Sequence, residues 1–332
     1  MVSVRAGARA RYWHSNNKAL EIARDVKAWL SGRYRERQEW LSKLHAARVA
    51  RDRVELAKLK RERLQQKQAA IGSGKGRLPD FVVIGAKKCG TTLLYHLLTQ
   101  HPYVDPAAKK ELHYFDVLFE EEDVEWYRRC FPQPTWKDGR RTITGEGTPG
   151  YLFHPLAPER MVQAVPQARL IALLRNPVDR AYSDYHQGVR KGREPRTFEE
   201  AIEQALEAEE TRPLDEEDEA SEHEDHAGPD NMRRGHLSRG IYVDQLLRWS
   251  EYFSEEQMLV LKSEDFFERP SEALKPVLDF LDLPDWEPEA SEIRNKGNYE
   301  QAMDPAIRQR LEEFFEPHNR RLYEYLGVDF GW

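Results

Sequence analysis

Two lysines, two threonines and two glycines share one eight-residue stretch, Gly85-Ala86-Lys87-Lys88-Cys89-Gly90-Thr91-Thr92. Residues of these types suit an anion. Backbone N–H groups of a glycine-bounded turn and of a helix N-terminus converge on it, ammonium groups add charge and hydroxyls add donors. The spacing is close to the Walker A loop, G-x-x-x-x-G-K-[ST], but Thr91 stands where that loop has its lysine. Lys88 comes two residues before Gly90 instead, where it would face a group being transferred. A second pair, Arg175 and Ser183, lies eight residues apart at the end of the apolar run Leu170–Leu174 and about two turns into the helical pattern from Pro177. A fixed cation and a hydroxyl so placed can meet on one phosphate.

The elements that must hold these residues are legible in the hydrophobic pattern. Phe81–Ile84 reads as a buried strand, and Leu93, Leu94, Leu97 and Leu98 recur at helical spacing after the loop. Thr142–Gly145, Ala168–Leu174 and Met258–Lys262 read as further strands. Between and after them lie helical patterns at 157–165, 177–189, 198–207, 241–252, 271–281 and 304–326. Such alternation predicts an α/β, P-loop-like domain: a central parallel sheet flanked by helices, with ligands at the carboxyl ends of the strands. Lys87, Lys88 and Arg175 all fall at such ends.

The chain of 332 residues carries a formal charge of −7, unevenly spread. Residues 1–77 hold 20 Lys/Arg against 7 Asp/Glu, and the remainder holds 31 against 51. The expected organisation is a basic helical N-terminal arm and hinge, 1–77, before a domain spanning 78–332. The arm packs on the domain or a second subunit, or meets an anionic membrane surface or polymer. Residues 207–230 contain 12 acidic residues and read as a mobile surface loop; His223 and His226 within it read as solvated rather than as metal ligands. No apolar run approaches the roughly 20 residues that span a bilayer. There is no apolar leader, and Cys89 and Cys130 are the only cysteines. A reducing, cytoplasmic location, peripheral to a membrane at most, is expected.

Four segments together resemble one family, the sulfotransferases that use 3′-phosphoadenosine 5′-phosphosulfate (PAPS). The 85–92 loop is similar to their 5′-phosphosulfate loop, and Leu173-Leu174-Arg175-Asn176-Pro177 through Tyr185 to their 3′-phosphate site. Lys109-Lys110-Glu111-Leu112-His113-Tyr114-Phe115 is similar to the K-E-x-x-F-F segment of the heparan-sulfate branch, and Arg294–Tyr299 to the late K-G-x-x-Y loop. The resemblance implies that Lys88 is the catalytic lysine and Glu111 the general base; His113, two residues on, would share Glu111's face of an extended segment and so help orient the acceptor or act as an alternative base. It implies that Lys87, Lys88, Cys89, Gly90, Thr91 and Thr92 hold the 5′-phosphosulfate, and that Arg175, Ser183, Lys296, Gly297 and Asn298 hold the 3′-phosphate of PAPS or its product PAP. No metal is implied.

The chain departs from the heparan branch at Gly145-Glu146-Gly147-Thr148-Pro149, where Gly147 replaces a lysine that reaches the reaction centre. The charge is lost unless Lys87 or Arg180 supplies it. A bacterial-type soluble relative of the N- and 3-O-sulfotransferases, acting on a glycan, glycolipid or other alcohol or amine, fits this pattern, and a nucleic-acid partner is not expected. The competing readings are a P-loop kinase or nucleotide triphosphatase, which lacks its lysine and magnesium-binding Asp here, and a non-catalytic PAP-binding scaffold.

Overall fold

The computed structural model describes residues 76–210, 235–288 and 302–332. All lie within one compact unit, Ala69–Trp332. The arm up to residue 75, residues 211–230 of the acidic run with His223 and His226, and Lys296, Gly297 and Asn298 lie outside the described residues.

Five parallel strands form the centre, in the order β2-β5-β1-β6-β7. They are β1 (Phe81–Gly85), β2 (Val104–Pro106), β5 (Ile143–Gly147), β6 (Arg169–Leu174) and β7 (Met258–Lys262). Every residue of β1 is buried, as is all of β6 beyond Arg169. A strand covered by helices on both faces needs such an unbroken apolar run rather than an alternating one. Val82 pairs with Glu146 on one side and Leu170 on the other, so β1 lies between the two halves of the sheet. The chain leaves β1 for β2 and β5 on one side and then crosses to β6 and β7 on the other. The crevice at such a reversal is where open α/β sheets bind ligands.

The expected helices are present with small shifts: α1 (Thr91–Gln100), α3 (Ala157–Ala164), α4 (Pro177–Arg190), α5 (Phe198–Glu210), α6 (Tyr242–Ser250), α8 (Pro270–Phe280) and α9 (Pro305–Leu326). Residues 207–210, expected in the acidic loop, form the last turn of α5. Asn176 starts α4 by accepting from the N–H groups of Val178 and Asp179 at 2.9 and 3.3 Å, and Pro177 supplies a first-turn residue with no N–H to satisfy. Short elements absent from the sequence pattern are β2, the hairpin of β3 (Trp136–Lys137) and β4 (Arg140–Arg141), α2 (Val124–Arg129) and α7 (Ser263–Glu268). At two to six residues they are too brief to show a period.

Two residues expected at the end of the arm and hinge contact the body. Gly76 accepts from Gln133, and Arg77 is 7% exposed, donates to the Thr142 carbonyl at 2.7 Å and pairs with Asp80 and Asp105. Both residues therefore belong to the folded body.

Candidate active site

The carboxyl ends of β1, β5, β6 and β7 meet around the 85–92 loop. Ala86 N donates to the Leu173 carbonyl at 2.8 Å, and Ser263 Oγ, just past β7, donates to the Cys89 carbonyl at 2.7 Å. Tyr242 Oη, opening α6, donates to the Arg175 carbonyl at 2.9 Å and lies 3.6 Å from Cys89 Sγ. The loop is thus tied to β6, to the end of β7 and to α6. Its glycines are required by space and conformation. A Cβ on Gly85 would come within 2.5 Å of the Leu152 Cβ. Gly90 has φ +86° and would press a Cβ to 2.9 Å from the Phe267 ring.

Gly90 is the N-cap of α1, and no side chain caps that end. The N–H groups of the first turn have no acceptor within a helix, so those of Thr91 and Thr92 open the helix ready for an external anion. Lys87 and Lys88 are half-buried beside them, Thr91 is buried and Thr92 is exposed. Burial lowers the Lys88 ammonium's pKa, and Arg190, Lys191 and Lys87 add to that; Asp184 opposes. A crowded cation of this kind gains from a bound anion. Cys89 is fully buried and burial pushes its thiol up to about 11. Its part in the loop is packing and backbone, not sulfur chemistry.

Glu111 and His113 do come together, but not in an extended segment. Glu111 has φ +61° and His113 φ +57°, both in the left-handed region. His113 Nε2 lies 4.0 Å from Glu111 Oε2, and His113 Nδ1 lies 2.9 Å from Asp116 Oδ2. Asp116 is completely buried and fixes the ring. A buried carboxylate on one imidazole nitrogen directs the other outward, here toward Glu111. The His113–Asp116 spacing of three was visible in the sequence as the signal for this contact.

The unusual backbone is held by Glu146. This fully buried carboxylate accepts from Tyr127 Oη at 2.9 Å and Tyr151 Oη at 3.0 Å on one oxygen. The other oxygen accepts from Thr148 Oγ1 at 2.7 Å and from the Leu112 N–H, between Glu111 and His113, at 3.3 Å. Thr148 Oγ1 in turn accepts the His113 N–H at 3.4 Å. Burial raises the Glu146 pKa while these donors pull it down. Glu146 is therefore an anchor for the Glu111 segment and has no free face for a substrate.

Glu111 itself is 44% exposed in its side chain, and Lys110 Nζ lies 2.7 Å from its Oε1. Burial works to raise its pKa, as anticipated for a general base, but Lys110, His113 and Lys191 outweigh it and the net shift is downward.

Arg175 leaves β6 with its guanidinium over the Phe267 ring, 5.6 Å from the centroid, and Ser183 is buried on α4. Arg180 presents no exposed charge to the site. It is completely buried and donates to the carbonyls of Gly235 and His236, so it does not replace the lysine missing at Gly147. A Cβ at Gly147 would meet the Val83 Cβ at 3.4 Å and the Tyr95 ring at 3.7 Å, ordinary contacts.

The chain belongs to the sulfotransferase family: residues 78–309 match the sulfotransferase domain. It is 32% identical over 286 residues to heparan sulfate glucosamine 3-O-sulfotransferase 6 of Homo sapiens, covering 79% of this chain and 76% of that protein. It is 28% identical to the membrane-associated sulfotransferase kil1 of Dictyostelium discoideum, over 77% of this chain and 66% of that protein. The crystal structure of a sulfotransferase from Alicyclobacillus acidocaldarius superposes with a TM-score of 0.60 at 30% identity, covering 76% of this chain and 97% of that one. Among the described residues no helix is long and apolar enough to cross a membrane.

Proposed function

We propose that the chain transfers a sulfuryl group from PAPS to a hydroxyl or amine of a carbohydrate, in a glycan or glycolipid, without a metal ion. The observation that carries this reading is the uncapped α1 terminus with Lys88 beside it, at the same strand ends as the Glu111–His113–Asp116 group. When bound, the donor supplies a sulfuryl group and a phosphate as leaving group. Gly90, Thr91 and Thr92 hold its 5′-phosphate through backbone N–H groups and hydroxyls, with Lys87, Lys88 and the Cys89 backbone completing the loop. Lys88 balances the charge that grows on the departing oxygen. Arg175 and Ser183, joined by Lys296, Gly297 and Asn298, hold the 3′-phosphate. Glu111 takes the acceptor's proton, and His113, steadied by Asp116, orients the acceptor.

The acceptor class rests on the relatives, which include heparan sulfate 3-O-sulfotransferases. The two cysteines favour a cytoplasmic, reducing location. The basic arm is read as the contact with an anionic membrane or a second subunit, to be checked by vesicle co-sedimentation and light scattering of the full chain.

The test of the main reading is transfer of ³⁵S from labelled PAPS to a panel of glycans, glycolipids and small alcohols in EDTA, with calorimetry of PAP binding. Labelled product and PAP binding are expected. Strict magnesium dependence, or a preference for ATP over PAP, would refute it.

A further inference from the structure

Apart from the groups given roles above, five charged side chains form one chain of contacts in the body, three of them buried and two half-buried. Arg180 and Asp184 stand one turn apart on α4, with Arg180 Nη1 3.8 Å from Asp184 Oδ2. His236 Nδ1 lies 3.2 Å from the same oxygen. The other ring nitrogen, Nε2, lies 3.5 Å from Glu194 Oε2, an ion-pair contact outside hydrogen-bond geometry. Glu194 is held on its far side by the fork of Arg196, Nε to Oε1 and Nη2 to Oε2, each at 2.7 Å. Arg180, Glu194 and His236 are all buried.

The geometry decides the protonation of the ring. A neutral imidazole has one N–H and one lone pair, and here both nitrogens face carboxylate oxygens. Only the imidazolium carries a proton toward both, donating to Asp184 at Nδ1 and ion-pairing with Glu194 at Nε2. The carboxylates are themselves held ionised. Burial works against the Asp184 anion, but His236, Lys87 and Arg180 hold its pKa well below the usual range. Glu194 is likewise opposed by burial, yet His236 and Arg196 bring it to about 2. For His236 burial disfavours the cation and Arg180 repels it, while Asp184 and Glu194 outweigh both and raise its pKa. Tyr185, whose ring centroid lies 6.3 Å from that of His236, is a further ionisable neighbour on α4.

The cluster borders the donor site on two counts. Asp184 follows Ser183 directly in α4. Its charge also acts on Lys87 and Lys88 of the phosphate loop. Without a counter-charge, the Asp184 anion would both draw these ammonium groups inward and repel an incoming phosphate.

We propose that His236 is a positioning residue for donor binding: clamped as an imidazolium between Asp184 and Glu194, it fixes the Ser183–Asp184 part of α4 and offsets the Asp184 charge facing the phosphate loop. This rests on the assignment of Ser183 and Lys88 to the donor's phosphates. Because the proton on His236 favours an anionic ligand, PAP must in turn favour the proton, so bound PAP raises the pKa of His236.

The test is calorimetry of PAP with the full chain between pH 6 and 9, for the wild type and His236→Gln, together with ¹⁵N NMR of the histidine ring. Comparing the two proteins at each pH cancels the titration of PAP itself. At pH 6 the variant should bind PAP about three- to tenfold more weakly, the scale of one lost hydrogen bond. The gap should close as pH rises and the wild type loses its proton. Both ring nitrogens of His236 should be protonated near neutral pH, with a higher pKa in PAP. A gap that does not vary with pH, or no gap, overturns the positioning role while leaving the PAP site standing. Failure of the wild type to bind PAP at any pH overturns the donor assignment and this inference together. If His236→Gln does not fold, Glu194→Gln serves: it should lower the His236 pKa and shift the wild-type break in PAP affinity to lower pH, and an unmoved break refutes the proposal.

Discussion

Lys110 Nζ lies 2.7 Å from Glu111 Oε1, so the carboxylate assigned as general base starts out paired with a cation. The pair keeps Glu111 ionised and ready to accept a proton, but it also makes Glu111 a weaker base. A base works best with a pKa near the working pH, and Glu111 is shifted the other way.

The first prediction follows from that sign. Lys110 lowers the Glu111 pKa, so Lys110→Met should raise it toward or above the ordinary 4.5. The acid limb of the kcat/KM profile should then move to higher pH, with PAP affinity little changed. An acid limb that stays in place would show that another group sets it.

Glu111→Gln keeps shape and hydrogen bonding but cannot take a proton. It should lower kcat by about 10²–10⁴ and leave PAP binding nearly unchanged. His113→Ala separates the two candidates, because a loss of equal size would make the imidazole a partner in proton transfer. Single-turnover rates with a saturating acceptor give the comparison.

Glu146→Ala should act through the fold. It leaves the Tyr127 and Tyr151 hydroxyls without the acceptor they share, and each buried donor left unsatisfied costs about 1–3 kcal/mol. Urea unfolding should show the loss. The kcat should fall as well, because the Leu112 N–H loses the contact that holds Glu111 and His113 in left-handed conformations.

Arg175→Ala should weaken PAP binding at least about tenfold, the scale of a charge-assisted hydrogen bond, and Ser183→Ala by less. Calorimetry at fixed ionic strength measures both. Wild-type affinity in both variants would place the 3′-phosphate elsewhere.

The local parts of this protein were written in its sequence. An apolar run long enough for a strand, a glycine-bounded loop with two lysines and a leucine period of helical spacing describe β1, the phosphate loop and α1 without reference to the rest of the chain. These features are local because the conformational preferences of glycine, proline and an amphipathic helix act over a few residues. Asn176-Pro177 likewise announced the start of α4. The tertiary structure decided what depends on residues far apart in the chain. Glu146 was in the sequence only a member of the Gly145–Pro149 segment, and only the packing of β5 against Tyr127 and Tyr151 made it a buried anchor. Arg180 read as a free cation near the site, but it spends its charge inside the body on the carbonyls of residues 235 and 236. His236 carried no signal at all, because its two carboxylate partners lie 52 and 42 residues before it. The same holds for the sign of the Glu111 shift. The lysine beside it was plain to read, but the balance between burial and charge depends on how much water the fold leaves around the carboxylate.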